Sequence, residues 1–252
     1  MEKLSRGASA RIQIDPTGAD GELWELVAEL AEMLDDPWVL VGGLMVHLFV
    51  LEHEPQRQLR ATDDIDLLAD SRKKPSRTER ISQKLLEDGF ELKKITYGPP
   101  PTGFTFWKGG KPVDVLAPDG TRTDAKTVGN LHTVQIPGGT QALRRAEEVE
   151  VRLTGGPTFR LQRPTLLGAV LIKARALPVH DDPEAQRHDL VQLLSLIKDP
   201  GAVARELKPS ERRWLKSIEG KLWPDINADT TLVRLDETAV RRAREAYDLL
   251  VG

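Results

Sequence analysis

The sequence predicts a mixed α/β fold (α/β or α+β class) followed by a helical module. Up to about residue 160, short apolar stretches of strand length alternate with amphipathic stretches of helix length. Glycine pairs at 109–110 and 155–156 predict two hairpin turns. After Pro164 only helical patterns follow. We therefore predict two domains, 1–160 and 161–252.

The order of elements follows from periodicity and from the turn residues between them. The first twenty residues are predicted to be a polar lead-in. Predicted helices, with apolar residues three and four apart, cover 22–34, 44–53, 77–88, 164–177, 183–197, 209–219 and 237–250. Predicted strands, which are short and rich in β-branched and aromatic residues, cover 38–41, 64–68, 90–97, 104–107, 112–116, 149–153 and 159–161. The sheet is thus expected to be mixed and flanked by helices.

Composition excludes several classes of function. The chain has no cysteine, which excludes disulfides, thiolate metal sites and cysteine nucleophiles. A net charge of −3 gives no global attraction to nucleic acid, so any RNA binding must come from local patches. The longest apolar run, 38–51, is too short to span a bilayer and includes two glycines. With no signal peptide in residues 1–10, we expect a cytoplasmic protein with no membrane partner.

Two aspartates with one residue between them are the most informative feature. In a strand, Asp64 and Asp66 project from one face while Ile65 and Leu67 point into the core. Carboxylates this close repel each other unless a proton or a cation lies between them. Oxygen ligands of this kind suit Mg²⁺, or Mn²⁺, shared with substrate phosphates. Asp114, in a strand of apolar neighbours, is a candidate third metal ligand; its alternative is a solvated edge position.

Gly42 and Gly43 stand between the strand at 38–41 and the next helix. Without a Cβ they permit a tight turn and a close approach of backbone to a phosphate. The free amides of the helix that follows would face that anion. A simple turn is the equally open alternative.

Lys173 and Asp189 are the candidate functional residues of the helical module. Lys173 lies on the apolar stripe of its helix, so it either extends to the edge of the core or pairs with an anion such as a nucleotide phosphate. Asp189 lies at the border of the core face of the next helix. It could orient Lys173 or Arg175, or act as a general base. His47 is interpreted as a core histidine, and no role is assigned to His188.

A basic cluster follows the paired aspartates directly. It could guide a polyanion to the site, although a solvated loop is the more common explanation of such a run. The cluster comprises Arg72, Lys73, Lys74, Arg77 and Arg80.

Together these features resemble the polymerase-β-like nucleotidyltransferase superfamily, and more closely its AbiE-type toxins, including the mycobacterial group that modifies transfer RNA. The resemblance covers roughly 36–198 and rests on Gly42-Gly43, Arg60-Ala-Thr-x-Asp64-Ile-Asp66-Leu67, Asp114, Lys173-Ala174 and Arg187-His188-Asp189-Leu190-x-x-Leu193. Two positions depart from the family. Gly43 stands where many members have serine, and Gln192 stands where a second acidic residue is common.

The resemblance implies a nucleotidyltransferase-type sheet and transfer of a nucleoside monophosphate from an NTP, with loss of pyrophosphate. It implies Mg²⁺ (or Mn²⁺) on Asp64, Asp66 and Asp114, and triphosphate binding by Lys173, Gly42 and Gly43. The expected acceptor is RNA, foremost the 3′ end of tRNA, with an antitoxin as a further partner. An antibiotic-type small molecule or a protein as acceptor, and an inactive nucleotide-binding module, are the alternatives.

Overall fold

A mixed sheet occupies the first two thirds of the chain. The computed structural model describes residues 10–16, 20–93, 95–98, 100–120, 125–223 and 235–252. Within them the strands are β1 (Arg11–Ile14), β2 (Trp38–Val41), β3 (Ile65–Ala69), β4 (Glu91–Lys93), β5 (Thr105–Lys108), β6 (Lys111–Pro118), β7 (Gln135–Ile136), β8 (Ala146–Leu153) and β9 (Thr158–Pro164). Their spatial order is β1-β8-β9-β2-β3-β6-β5-β4, and β7 pairs with β6 beside this path.

Ten helices accompany the sheet in the described ranges. They are α1 (Gly21–Met33), α2 (Gly42–His53), α3 (Arg77–Glu87), α4 (Gly139–Arg144), α5 (Leu166–Ala176), α6 (Pro183–Ser195), α7 (Pro200–Glu206), α8 (Pro209–Ser217), α9 (Glu219–Leu222) and α10 (Glu237–Val251). None of these helices is long and apolar enough to cross a membrane.

The centre of the sheet sets the position of the paired aspartates. β2 runs antiparallel to β3, with Val41 opposite Asp66. β3 runs parallel to β6, with Asp66 opposite Asp114. This register is fixed by burial, because Ile65 and Leu67 are completely buried and a one-residue slip would expose them. The end of β2 and the first halves of β3 and β6 therefore meet at one place.

The helix that follows β2 is central to the core. Most of α2 is apolar on every side and buried, as expected for a helix covered by other elements all round. Its interior residues, such as Leu44 and Leu48, belong to one hydrophobic cluster that also includes Leu171 from α5 and Leu193 from α6. The helices after Pro164 thus pack onto the same core as the sheet.

The predicted fold class is confirmed, and the predicted helices and strands are present with shifts at their ends. The lead-in was wrong in part: Arg11–Ile14 forms β1, in which Ile12 and Ile14 are buried and pair in parallel with β8. That pairing spans most of the chain, so local composition could not indicate it. The strand predicted at 90–97 is only β4, and residues 94 and 99 lie outside the described ranges. The division near residue 160 stays a prediction.

Besides β1, four short elements, α4, α7, α9 and β7, were not predicted, and α9 contains only four residues. α4 and α7 contain six and seven residues, and β7 contains two. Segments of this length carry no resolvable periodicity, so tertiary contacts determine their conformation. α4 covers part of the sheet, because its first residue, Gly139, packs on Leu68 of β3 and Pro118 of β6.

Candidate active site

Three carboxylates converge at the junction of β2, β3 and β6. Asp64 precedes β3, Asp66 lies in β3, and Asp114 lies beside it in β6. One oxygen from each residue lies within 4.8 Å of the other two. All three residues are half-buried, so the group is accessible from solvent. We call these residues the carboxylate triad.

The triad is electrostatically unfavourable without a bound cation or proton. Burial raises the pKa of Asp66 well above its usual value of 3.8, and the charges of Asp64 and Asp114 raise it further. The charge of Lys173 opposes these effects but does not outweigh them. Although Asp66 keeps some exposure, the protein around its carboxyl group therefore disfavours its ionised form.

The donor set fits a hard divalent cation. Mg²⁺ prefers oxygen ligands at 2.0–2.1 Å, so two ligands on opposite sides of the ion are about 4.2 Å apart. The triad offers one oxygen from each residue, all within 4.8 Å of one another, which is close enough for the three to share one such ion. A cation would also remove the repulsion that disfavours ionised Asp66. The predicted convergence of Asp64, Asp66 and Asp114 is therefore observed, and their role as metal ligands remains a prediction.

Gly42 borders the triad directly. Its φ is +70°, in the left-handed region that favours glycine, and a Cβ here would overlap Oδ2 of Asp66. The turn thus needs glycine both for its conformation and for the room that Asp66 occupies. α2 begins at Gly42, and no side chain caps its first amides. Phosphate binding by these amides remains a prediction.

Gly43 makes room for Thr62, a residue to which the sequence analysis assigned no role of its own. A Cβ at Gly43 would lie 2.5 Å from Oγ1 and 2.8 Å from Cβ of Thr62. The Thr62 hydroxyl donates a hydrogen bond to Oδ1 of Asp64 at 3.1 Å. A hydroxyl is therefore present beside the glycine turn, but it comes from Thr62 and not from position 43. This gives a physical reason for glycine at position 43.

Lys173 and Asp189 form a buried ion pair next to the triad. Nζ of Lys173 donates to Oδ2 of Asp189 at 2.8 Å, and the two side chains are 5% and 3% exposed. Arg60 donates to the same carboxylate from Nε at 3.2 Å and from Nη2 at 3.3 Å. We call Arg60, Lys173 and Asp189 the ion cluster. Arg60 is the member that periodicity could not identify, because it lies in an irregular loop.

The ion cluster keeps Asp189 ionised. Burial by itself would raise the pKa of Asp189, but the nearby positive charges, Lys173 first, outweigh it and hold this pKa well below its usual range. A carboxylate held by two cations has little affinity for a further proton. Of the roles left open for Asp189, the geometry favours orienting Lys173; Arg175 instead lies over the ring of Trp214 at 4.8 Å.

A histidine supports the loop that carries Arg60 and Thr62. His47 is buried in α2, as predicted, and its Nε2 lies 2.7 Å from the carbonyl oxygen of Arg60. Because a carbonyl only accepts, Nε2 must carry the hydrogen. Nδ1 lies 3.2 Å from Oδ2 of Asp20, within ion-pair distance but not aligned for a hydrogen bond. Oδ1 of Asp20 accepts from the amide of Thr62 at 3.5 Å.

The other predicted candidates lie apart from the triad or have partners. In the basic cluster, Arg72 pairs with Asp70 at 2.6 Å and Arg80 with Asp36 at 2.8 Å, whereas Lys73 and Lys74 are exposed. His188 is buried, with Nδ1 3.8 Å from Oδ1 of Asp189. Gln192, at the position where the resembled family often has a second acidic residue, is also buried.

Comparison with known proteins leaves the family open. No family model and no curated protein matches the chain. The fold is similar to the crystal structure of an antigenic nucleotidyltransferase-like protein from Paracoccidioides brasiliensis, with a TM-score of 0.48 and 16% identity over 82% of this chain and 91% of that chain. A similarity of this degree carries no argument about activity. Function must therefore be argued from the site.

Proposed function

We propose that this protein is a metal-dependent nucleotidyltransferase that moves a nucleoside monophosphate from an NTP to an acceptor hydroxyl and releases pyrophosphate. The observation that supports it most is the convergence of Asp64, Asp66 and Asp114, within 4.8 Å, beside the turn at Gly42. A cation held there would stabilise charge on the attacking and leaving oxygens. Such a site suits in-line transfer, which needs positioning and charge compensation and no covalent enzyme intermediate.

The reaction balances without a further reactant. The oxygen of the acceptor hydroxyl forms a bond to the α-phosphorus of the NTP. The bond from that phosphorus to the bridging oxygen breaks, and pyrophosphate leaves with the electron pair. The hydroxyl proton passes to a carboxylate of the triad, because Asp189 is held ionised by Lys173 and Arg60 and is a poor base.

We propose that the segment 161–252 completes the nucleotide site. Lys173 and Asp189 both belong to it, and the charge of Lys173 acts on Asp66. On this proposal Asp189 holds the ammonium group of Lys173 at the edge of the triad, where it would meet the triphosphate. Gly42, Gly43 and the first amides of α2 would contact the same phosphates.

The acceptor that we propose is RNA, foremost the 3′ end of tRNA, in the role of a toxin that an antitoxin neutralises. This part rests on the resemblance of the Arg60–Leu67 and Arg187–Leu193 segments to AbiE-type toxins. We expect transfer from one or more α-labelled NTPs to total RNA in the presence of Mg²⁺ or Mn²⁺, and none with the Asp66→Ala variant. Matched incubations with a protein mixture and with aminoglycosides test the other acceptors.

Two outcomes would count against parts of this proposal. Labelling of an antibiotic or a protein, but not of RNA, would contradict the proposed acceptor and support the proposed nucleotide transfer. A wild-type protein that labels no acceptor, and whose melting temperature does not respond to an NTP with Mg²⁺, would contradict the enzyme itself.

A further inference from the structure

A groove lies beyond α4, at the opposite ends of the strands that carry the triad. Its volume is about 570 Å³, and its polar lining includes Arg72, Thr140, Arg144, Arg145, Lys208 and Trp214. Asp119, which also lines the groove, directly follows β6 and is five residues past Asp114. At 3.3 Å per residue, this places the groove about 16 Å along the sheet from Asp114.

The groove and the triad are on the same side of the sheet. Asp66 and Leu68 are two residues apart in β3, so their side chains share one face. Gly139, at the start of α4, packs so closely on that face that a Cβ would lie 3.4 Å from Leu68 and 2.8 Å from Pro118. α4 therefore covers the sheet between the triad and the groove, and a long ligand could pass from one to the other over it.

The acidic residues of the groove are already satisfied by the protein. The carboxylate of Asp119 accepts hydrogen bonds from the amides of Gly138 at 3.0 Å and Thr140 at 2.9 Å. Glu211 accepts two hydrogen bonds from the guanidinium of Arg145, at 2.8 and 2.9 Å. Glu211 is therefore paired with Arg145, whereas Asp119 accepts only from neutral amides, keeps its negative charge and offsets part of the positive charge of the groove.

The positive charge that remains in the groove belongs mainly to Arg144 and Lys208. Both side chains are exposed, and within the described parts of the chain neither forms an ion pair. Arg72 adds a partly neutralised guanidinium, held between Asp70 at 2.6 Å and the hydroxyl of Thr140 at 3.3 Å. On a chain with a net charge of −3, such a local surplus needs an explanation.

We propose that this groove, which we call the α4–α8 groove, binds the phosphodiester backbone of the RNA acceptor while its 3′ end lies at the triad. The inference rests on the proposed function, because it assumes an RNA acceptor. Arg144 and Lys208 contact phosphates, and Arg72 fixes the edge of the groove nearest β3. Backbone contacts of this kind supply affinity and register but no sequence readout. Arginine, lysine and hydroxyl side chains line the groove, which suits contact with a phosphodiester backbone.

The test removes the two unpaired charges and measures RNA binding apart from chemistry. We expect Arg144→Glu/Lys208→Glu to weaken tRNA binding at least 10-fold, and Arg144→Ala/Lys208→Ala to reduce the slope of log affinity against log salt by about 2. The KM for tRNA should rise, with kcat and the KM for the NTP unchanged. Arg241→Glu is the matched control, since Arg241 is exposed on α10 and away from the groove.

The outcomes separate this inference from the proposed function. If Arg144→Glu/Lys208→Glu binds tRNA as tightly as Arg241→Glu does, the groove is not the RNA contact, whatever the enzyme transfers. Wild-type protein that binds no RNA in gel-shift or anisotropy titrations also overturns it. RNA binding that the double variant loses, in a protein that transfers no nucleotide, supports the groove and contradicts only the chemistry. An unchanged melting temperature confirms that the variants are folded.

Discussion

The carboxylate triad and the ion cluster are neighbours that treat buried charge in opposite ways. In the triad, three groups of one sign lie within 4.8 Å of one another, and burial with mutual repulsion raises the pKa of Asp66. In the ion cluster, one carboxylate is held by two cations, and its pKa falls. Repulsion within the triad is relieved by a cation or a proton, whereas the carboxylate of the ion cluster already has its cations within the protein. A binding site can be recognised by this electrostatic incompleteness.

The largest expected effect distinguishes the two regions by activity and stability together. Asp66→Ala should lower nucleotide transfer on the order of 10³-fold or more, because it removes a ligand of the proposed metal site. The same change should leave the protein folded, or slightly more stable, since it relieves repulsion within the triad. Labelled NTP transfer and thermal melting measure the two effects. Full activity in this variant would leave the triad with no catalytic role.

Substitution in the ion cluster, unlike substitution in the triad, should lower the stability of the protein. Asp189→Asn leaves the ammonium group of Lys173, 5% exposed, without its carboxylate, and we expect a loss of about 3–5 kcal/mol in unfolding free energy. The double variant Lys173→Met/Asp189→Leu should recover most of that stability but no activity. Urea denaturation of the three proteins provides the measurement. If Asp189→Asn unfolds at the wild-type midpoint, the pair is not the stabilising contact that its geometry indicates.

The pH dependence of stability should isolate the triad. Asp66 has a folded pKa above its unfolded value near 3.8, so the folded state retains a proton that the unfolded state loses. Stability is therefore greatest below pH 4 as far as this group is concerned, and it falls as the pH rises toward the folded pKa. Asp189 acts oppositely, but its contribution is lost only at pH values below its unfolded pKa.

Between pH 5 and 8 the triad should then dominate the response to a divalent cation. We expect Mg²⁺ or Mn²⁺ to raise the melting temperature by a few degrees at pH 8 and by less at pH 5, because protons compete for Asp66. Asp66→Asn should abolish the difference. An equal cation effect at both pH values, or in the variant, would contradict binding at the triad.

A smaller effect tests the relation between Gly43 and Thr62. Gly43→Ser should lower stability by about 1–3 kcal/mol and reduce activity, because its Cβ would lie 2.5 Å from the Thr62 hydroxyl. Adding Thr62→Ala should restore part of both, since it removes Oγ1, the nearer of the two Thr62 atoms that the new Cβ would meet, and leaves one hydroxyl beside the turn. Non-additivity in a double-mutant cycle is the decisive readout. Additive losses would mean that the two positions do not share one space.

The smallest expected effect is that of changing His47, which supports the loop that carries Arg60 and Thr62. His47→Ala removes a 2.7 Å contact to the carbonyl oxygen of Arg60, which should cost about 1 kcal/mol and raise the KM for NTP several-fold. His47→Gln can donate to the same carbonyl, so its stability and its KM for NTP should lie between those of His47→Ala and those of the wild type. Steady-state kinetics with a saturating acceptor measure this. A change in kcat alone would assign His47 a role other than positioning the loop.

Local pattern determined much of what could be predicted. Alternation of Ile65 and Leu67 with Asp64 and Asp66 gave the strand and the common face of the carboxylates, because side-chain direction follows from backbone geometry alone. The glycine turn before α2 and the apolar stripe that carries Lys173 could also be predicted from local pattern. The class of fold could be predicted as well, since the periods of helices and strands differ.

Tertiary structure decided which of these residues meet. Asp114 reaches Asp66 only because β6 pairs with β3 in one register. Asp189 meets Lys173 and Arg60 only because α5, α6 and the loop before β3 pack together. Three further features are likewise contacts between separate segments: Thr62 opposite Gly43, β1 beside β8, and the α4–α8 groove. Such contacts leave no trace in local periodicity, because a residue's partners depend on topology and register, and these depend on the burial of the whole core.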